Sequence, residues 1–334
     1  LILVPLFLKF LSMEFFMDVY PLKFNPIYKE KIWGGRSFER LFHRELPPDT
    51  NIGESWELAD LPEGVSIVSN GEYAGRTLSD ITVSLGEKLL GQTPAMPDGR
   101  FPLLLKFLDA EDILSLQVHP DKTAVAQIGG KAALKTECWY IVESREGYIY
   151  RGIIPGTTPA EFKQAIETDQ AEKYVKRYDC RKGDFYHLPA GTVHAVGPGL
   201  VIAEVQTPSD TTYRVTDWGR GREIHVERSM QCIHFAPTPD NAPGAAGDTL
   251  WVTDYFTVSH RVTKAGQPFT LPTGVCSAMM FFGGDAEINH AGDAEPTTQV
   301  TAGNTILLPA TLEEPVLQAK TDADWLEITL PARQ

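Results

Sequence analysis

The sequence predicts a mainly β fold made of two related barrels with a few short helices. Short apolar runs recur between Gly, Pro and Asp turns along most of the chain, the pattern of a sandwich or barrel. A stretch rich in Pro, Gly and Ala, "APTPDNAPGAAGD" at 236–248, interrupts them as a linker. The text on its two sides also repeats. "GDFYHLPAGTVHAV" from Gly183 and "GNTILLPATLEEPV" from Gly303 share a glycine, then Leu-Pro-Ala at the same offset, then a valine at the end. Where the first copy has His194 the second has Glu314, so the second barrel is expected to have lost its polar site. The expected division is 17–240 for a first domain carrying the polar motifs and 249–334 for a second, degenerate barrel.

Taken in order, the apolar run over 1–16 lacks a basic leader and a small-residue cleavage site, and it is short of the roughly 20 residues that span a bilayer. It is expected to lie upstream of a start at Met17 or Met13 and to add nothing to the fold. From there to about residue 75 the chain is turn-rich, with "SWELAD" and "GVSIVSN" suited to strands. A helix is expected in "TLSDITVSLGEKLLG", started by Thr77 or Ser79 and ended by Gly91. A second is expected in "TTPAEFKQAIETDQAEKYVKRY", with Thr158 as N-cap, Pro159 in the first turn and Glu161 closing a capping box. Strands are expected in "FPLLLKFLDA", "ILSLQVH", "ECWYIVE", "GYIYRGI", "GDFYHLP", "VIAEVQT" and "TTYRVTDW".

Composition sets outer bounds on function. With 43% hydrophobic and 22% charged residues the 334-residue chain can bury a sizeable core. A net charge of −14 argues against a general nucleic-acid or anionic-membrane surface, so an anionic ligand must meet a local basic pocket. Cys138, Cys180, Cys232 and Cys276 form no C-x-x-C pair, which suggests neither a zinc ribbon nor a disulfide framework and fits a reducing cytoplasm.

The chemistry concentrates in "LSLQVHPDK". In an extended chain Gln117 and His119 share a face, and Pro120 ends the strand. The first repeat copy spells G-x5-P-x-G-x2-H from Gly183 to His194, a sharp turn that can aim the histidine into the barrel. With Glu137 of "KTECWY" these residues offer two imidazoles, a carboxylate and an amide oxygen, a set suited to zinc and also to manganese, iron or cobalt. His43, His187, His225, His234, His260 and His290 are expected to be structural, hydrogen-bonded residues.

"QVHPDK", "KTE", "GDFYHLPAGTVHAV" and "EVQTPSDTTYRVTDWGR", in that order, resemble the type I mannose-6-phosphate isomerases in their short bacterial form, members of the cupin superfamily. The similarity runs from "YPLKFNPIYKEKIWGG" to the C-terminus. It implies two cupin-like (jelly-roll, double-stranded β-helix) barrels and one zinc per chain on Gln117, His119, Glu137 and His194. It also implies an active-site arginine at Arg214 and further pocket residues at Trp33, Glu54, Lys106, Lys135, Glu204 and Asp210. Glutamine in place of the first histidine of H-x-H, and the distant Glu137, depart from the general cupin pattern and are features of the isomerase branch. The large helical insertion of the longer relatives is absent.

The implied reaction interconverts mannose 6-phosphate and fructose 6-phosphate through a metal-assisted enediol or enediolate. Lys135 and Arg214, and less directly Lys106, are placed to stabilise the developing oxygen charge. Glu204, Asp210 and Lys135 are the candidates for the proton-transfer base, with Trp33, Glu54 and Lys106 contacting substrate. How the cations divide between phosphate and enediolate stays open at this level. The expected partner is a small sugar phosphate, met by a cytoplasmic monomer or weak homodimer that binds neither nucleic acid nor membrane. A metal-dependent cupin oxygenase or a non-catalytic sugar-binding cupin are the alternatives, the former requiring oxygen uptake and iron.

Overall fold

The computed structural model describes residues 18–238, 248–291 and 297–331. The expected extension over 1–16 and most of the expected linker lie outside the described residues. Two sheets face each other in the first barrel. One has five strands in the order Val175–Asp179, Tyr148–Ile153, His194–Val196, Leu116–Val118, Tyr213–Thr216. The other has six, in the order Phe185–Leu188, Glu137–Ser144, Leu200–Gln206, Leu104–Ala110, Ile27–Gly35, Ile52–Leu58.

Strand alternation explains why the middle strands of the six-stranded sheet read as unbroken apolar runs. On Leu104–Ala110, Lys106 and Leu108 point into the barrel, while Leu105 and Phe107 point out. That outer face is not solvated. Phe107, Cys138, Tyr140, Ala203 and Val205 pack with Ala278, Met280 and Ile328 of the C-terminal half in one core. Fully burying a side chain of Phe or Met size contributes about 1.5–3 kcal/mol, so this shared core fixes the two halves as a unit. Polar contacts pin its rim. Arg44 makes a forked, buried ion pair with Glu57 at 2.8 Å and also donates to the Gly303 carbonyl.

The second barrel has a seven-stranded and a four-stranded sheet. Leu22–Asn25, from the start of the described chain, pairs antiparallel with Thr305–Leu308 and so belongs to the seven-stranded sheet. The sequence repeat has a structural counterpart. Phe185–Leu188 and Thr305–Leu308 occupy the same offsets, and each is followed by the same turn: Thr192 N–H donates to the Pro189 carbonyl and Leu312 N–H to that of Pro309, both at 3.1 Å. The copies then diverge. His194 lies on a strand, fully buried, whereas Glu314 is an exposed bend residue with φ of 47°. The interior of the second barrel is filled instead by apolar side chains, with Phe281 stacked on Trp325 at 5.5 Å between ring centroids.

Both expected helices form, with changes. Thr77 caps Leu78–Leu85 through a capping box with Asp80, but Gly86, at φ of 51°, breaks the run before Glu87–Leu90. Thr158, Pro159 and Glu161 start Pro159–Glu167 as expected. That helix stops well short of Tyr178: Asp169 takes a positive φ, a single turn of 3-10 helix follows, and Val175–Asp179 is an edge strand paired with Tyr148–Ile153. The β-branched and aromatic residues of "YVKRY" suit that strand better than a helix. Three short helices escaped the sequence reading: Ser37–Phe42, Lys122–Ile128 and Val226–Cys232.

Candidate active site

Cross-strand register builds the site. On the five-stranded sheet His194 lies opposite Gln117, and Gln117 opposite Arg214, so the three share one row and one face. Across the barrel Glu204 lies opposite both Lys106 and Trp139, and Glu137 enters at the start of its strand beside Gln206. These rows converge on a cavity of about 250 Å³. Every pocket residue expected from the sequence lines it: Trp33, Glu54, Lys106, Lys135, Glu204, Asp210 and Arg214, together with Gln117. His119, Glu137 and His194 are buried at 2% exposure or less.

The buried trio meets the conditions for a metal site. His119 Nδ1 and His194 Nδ1 each lie 2.9 Å from a backbone carbonyl, of Thr211 and Thr192, and so carry the proton and donate. Both Nε2 atoms are then bare lone pairs, and they face Glu137 Oε1 at 3.5 and 3.1 Å. Burial first, then the Lys135 ammonium, pushes the His119 pKa down to about 3, which keeps the ring neutral. Burial would raise the Glu137 pKa, but the Lys135 ammonium at 2.9 Å outweighs it and holds the carboxyl ionised. His119 Nε2 and Glu137 Oε1 are buried without a hydrogen-bond partner, while Glu137 Oε2 meets the Lys135 ammonium. Lone pairs gathered on a carboxylate in a dry site repel one another unless a cation joins them. The ligand atoms of the trio lie within 4.8 Å of one another, close enough for one ion. The Gln117 amide is 3.3 Å from His194 Nε2, and half a turn of the amide offers its oxygen as a fourth donor.

Gly191 shows how the turn serves this site. Its φ is 87°, its N–H donates to the His119 carbonyl at 2.8 Å, and an added Cβ would lie 2.6 Å from the His234 ring. Gly191→Ala is therefore expected to cost about 1–3 kcal/mol in a denaturant titration and to lower metal content; wild-type values of both would contradict that role. Gly34 serves Trp33 similarly, because a side chain there would run into the Gly53 backbone.

The rest of the cavity is a charge network. Lys106 lies 3.7 Å from Glu54 and 3.3 Å from Glu204, and Lys31 lies 2.9 Å from Glu54. Burial alone would lower the Lys106 pKa, but these carboxylates raise it, so the ammonium persists. Trp56 and Trp139 indoles donate to Glu54 and Glu204 at 2.7 and 2.9 Å. Burial opposes ionisation of Glu54, but Lys106 and Lys31 depress its pKa to about 2 from 4.5. A depressed carboxylate stabilises the fold fully above its ordinary pKa and ceases to do so as pH falls through about 2. Melting temperature should therefore decline from about pH 4.5 toward pH 2, and less steeply in Glu54→Gln. Equal slopes in the two proteins would contradict this account. Arg214 differs from the lysines: no carboxylate lies within ion-pair distance of it among the described residues, and its Nε is buried without a partner.

A family profile for "Phosphomannose isomerase type I, catalytic domain" matches residues 22–162. Mannose-6-phosphate isomerase ManA of Bacillus subtilis is 38% identical over 234 residues, covering 67% of this chain and 71% of that protein. The chain belongs to the type I phosphomannose isomerase family. A crystal structure of the mannose 6-phosphate isomerase from Bacillus subtilis superposes with a TM-score of 0.81 at 27% identity, covering 93% of this chain and 99% of that one. The two barrels are thus the phosphomannose isomerase form of the cupin fold. A zinc-bound mannose 6-phosphate isomerase structure shares the fold at a TM-score of 0.77 and 16% identity, over 93% of this chain and 100% of that one.

Some cavity residues were not foreseen. Lys31 is two residues before Trp33 on one strand, so the alternation that places Trp33 would have found it. Arg222 also lines the cavity, from the basic "GRGR" run after the Arg214 motif. His225, set aside as structural, grips Arg214 on both sides: its Nδ1 accepts the Arg214 N–H at 3.0 Å and its own N–H donates to the Arg214 carbonyl at 2.8 Å. His187 stacks on Trp251, and His234 and His260 hydrogen-bond to Asp121 and Asp324 at 2.9 and 2.7 Å.

Proposed function

We propose that this chain interconverts mannose 6-phosphate and fructose 6-phosphate, using one zinc held by Gln117, His119, Glu137 and His194. The observation that carries the reading is the buried donor trio joined through Gln117 and Lys135 to a cavity lined by fixed cations, in a chain of this family. Bound there, zinc would supply Lewis-acid polarisation of a carbonyl and the hydroxyl beside it. The remaining roles fall to the chain's own groups.

Lys135, ion-paired to Glu137 and lining the cavity, sets a fixed positive charge beside the reacting oxygens. Arg214, half-buried with its Nε unpartnered, sets a second. Charges fixed before the reaction need no reorganisation as an enediolate forms. Glu204 and Asp210 are the carboxylate candidates for the proton-transfer base, and both line the cavity. Glu204 is immobilised by Lys106 and Trp139, whereas Asp210 is exposed at the mouth with no ion pair among the described residues, which leaves it free to take and return a proton. Trp33 and Glu54 shape the wall against which the sugar lies.

The first barrel, expected over 17–240, is the catalytic unit in this reading, and the second stabilises it through the shared core. An iron oxygenase on the same ligands would have no use for the buried cations. No helix among the described residues is long and apolar enough to cross a membrane, and the buried free cysteines suit a reducing cytoplasm. A coupled assay for fructose 6-phosphate from mannose 6-phosphate tests the reaction. Zinc-loaded protein that makes none would overturn it.

A further inference from the structure

The cavity's cations are not equally committed. Lys31 and Lys106 are paired to Glu54 and Glu204, and Lys135 to Glu137. At the other end, Arg214, Arg220 and Arg222 gather around a single buried carboxylate, Asp217. Asp112 lies 3.8 Å from Arg220 and the Glu223 carboxylate is 82% exposed, so neither balances Arg214 and Arg222 where they face the cavity. Excess positive charge in a chain of net −14 marks this end for an anion.

Arg222 is built for that anion. Asp217 accepts from its Nε at 2.9 Å and from its Nη2, which clamps one edge of the guanidinium. Nη1 has no hydrogen-bond partner among the described residues, and the side chain is 36% exposed where it lines the cavity. Arg220 is spent differently: it donates to the Ile113 and Asp217 carbonyls and ties the loop to the barrel. Burial, then the charge of Arg222, lowers the Arg214 pKa, a like-charge strain that a bound anion relieves.

Position agrees with charge. Tyr213–Thr216 is the edge strand, two strands from His194, or about 10 Å at ordinary strand spacing. The loop bearing Asp217 and Arg222 continues beyond it. A sugar whose reacting carbons sit by Gln117 and Lys135 would extend its far end past Arg214 toward Arg222.

We propose that Arg222, oriented by Asp217, anchors the phosphate of the substrate, leaving Arg214 and Lys135 for the reacting oxygens. This inference rests on the sugar-phosphate reading above. Its test is Arg222→Ala and Arg222→Lys in zinc-loaded protein, with calorimetric titration of inorganic phosphate beside steady-state kinetics. In Arg222→Ala, KM for mannose 6-phosphate and the dissociation constant for phosphate should both rise on the order of 30- to 100-fold, with kcat changed far less. Arg222→Lys keeps the charge without the fork and should fall between wild type and alanine. Unchanged phosphate affinity in either folded variant, or a loss confined to kcat, would overturn the assignment. The titration needs no turnover: phosphate bound through Arg222 in a protein that makes no fructose 6-phosphate would sink the reaction and keep the site.

Discussion

His194→Ala is expected to lose bound metal and isomerase activity together, with kcat/KM falling by roughly three orders of magnitude or more. His194 is wholly buried, its Nδ1 is fixed by the Thr192 carbonyl, and its Nε2 lies 3.1 Å from Glu137. Alanine removes one of two imidazole donors and leaves Glu137 facing an empty volume. A Lewis acid contributes several kcal/mol to stabilising charge in reactions of this kind, and each 1.4 kcal/mol is about tenfold in rate. Elemental analysis of purified protein beside the coupled assay checks both losses. Full activity in metal-free His194→Ala protein would contradict the role given to the trio.

Arg214→Ala is the second large effect. The backbone at 214 is held by its pairing with Gln117 and by both hydrogen bonds to His225, none of which involves the arginine side chain. The side chain makes one hydrogen bond, to the Glu223 carbonyl at 2.8 Å, and no ion pair among the described residues. Its removal should therefore leave melting temperature and metal content near wild type. Loss of a single fixed donor to a developing oxyanion typically costs about 100- to 1,000-fold in kcat, and that range is expected here. A collapse in stability with little change in kcat would make Arg214 a structural residue.

The legible parts of the molecule are those whose signal is local. The capping box at Thr158 was readable because N-cap and N3 lie three residues apart, and Thr77 was one of two cap candidates for its helix. The Gln117 and His119 pair was readable because alternation is a property of one strand. The repeat at Gly183 and Gly303 even located the turn that the two barrels share. Less legible were relations between distant strands. That Glu204 meets Lys106, or that Glu54 draws in Lys31, depends on register across a sheet, which no single strand encodes. Leu22–Asn25 pairing with Thr305–Leu308 is a contact across nearly the whole chain, and nothing in "LKFN" announces it. Likewise the edge strand Val175–Asp179 was hidden inside a helical pattern, because polar Lys and Arg on an exposed strand keep either period. The metal ligands and pocket residues came largely through resemblance; the gathering of His119, Glu137 and His194 in one cluster, and of the pocket residues around one cavity, came from the fold.

The central claim is that this buried donor set, loaded with a divalent ion, supports aldose–ketose isomerisation. Its most direct test follows the conversion of mannose 6-phosphate by one protein sample before chelation, after chelation, and after zinc is returned. Turnover that vanishes with the chelator and returns with zinc is the predicted result. Turnover that survives complete metal removal would contradict it.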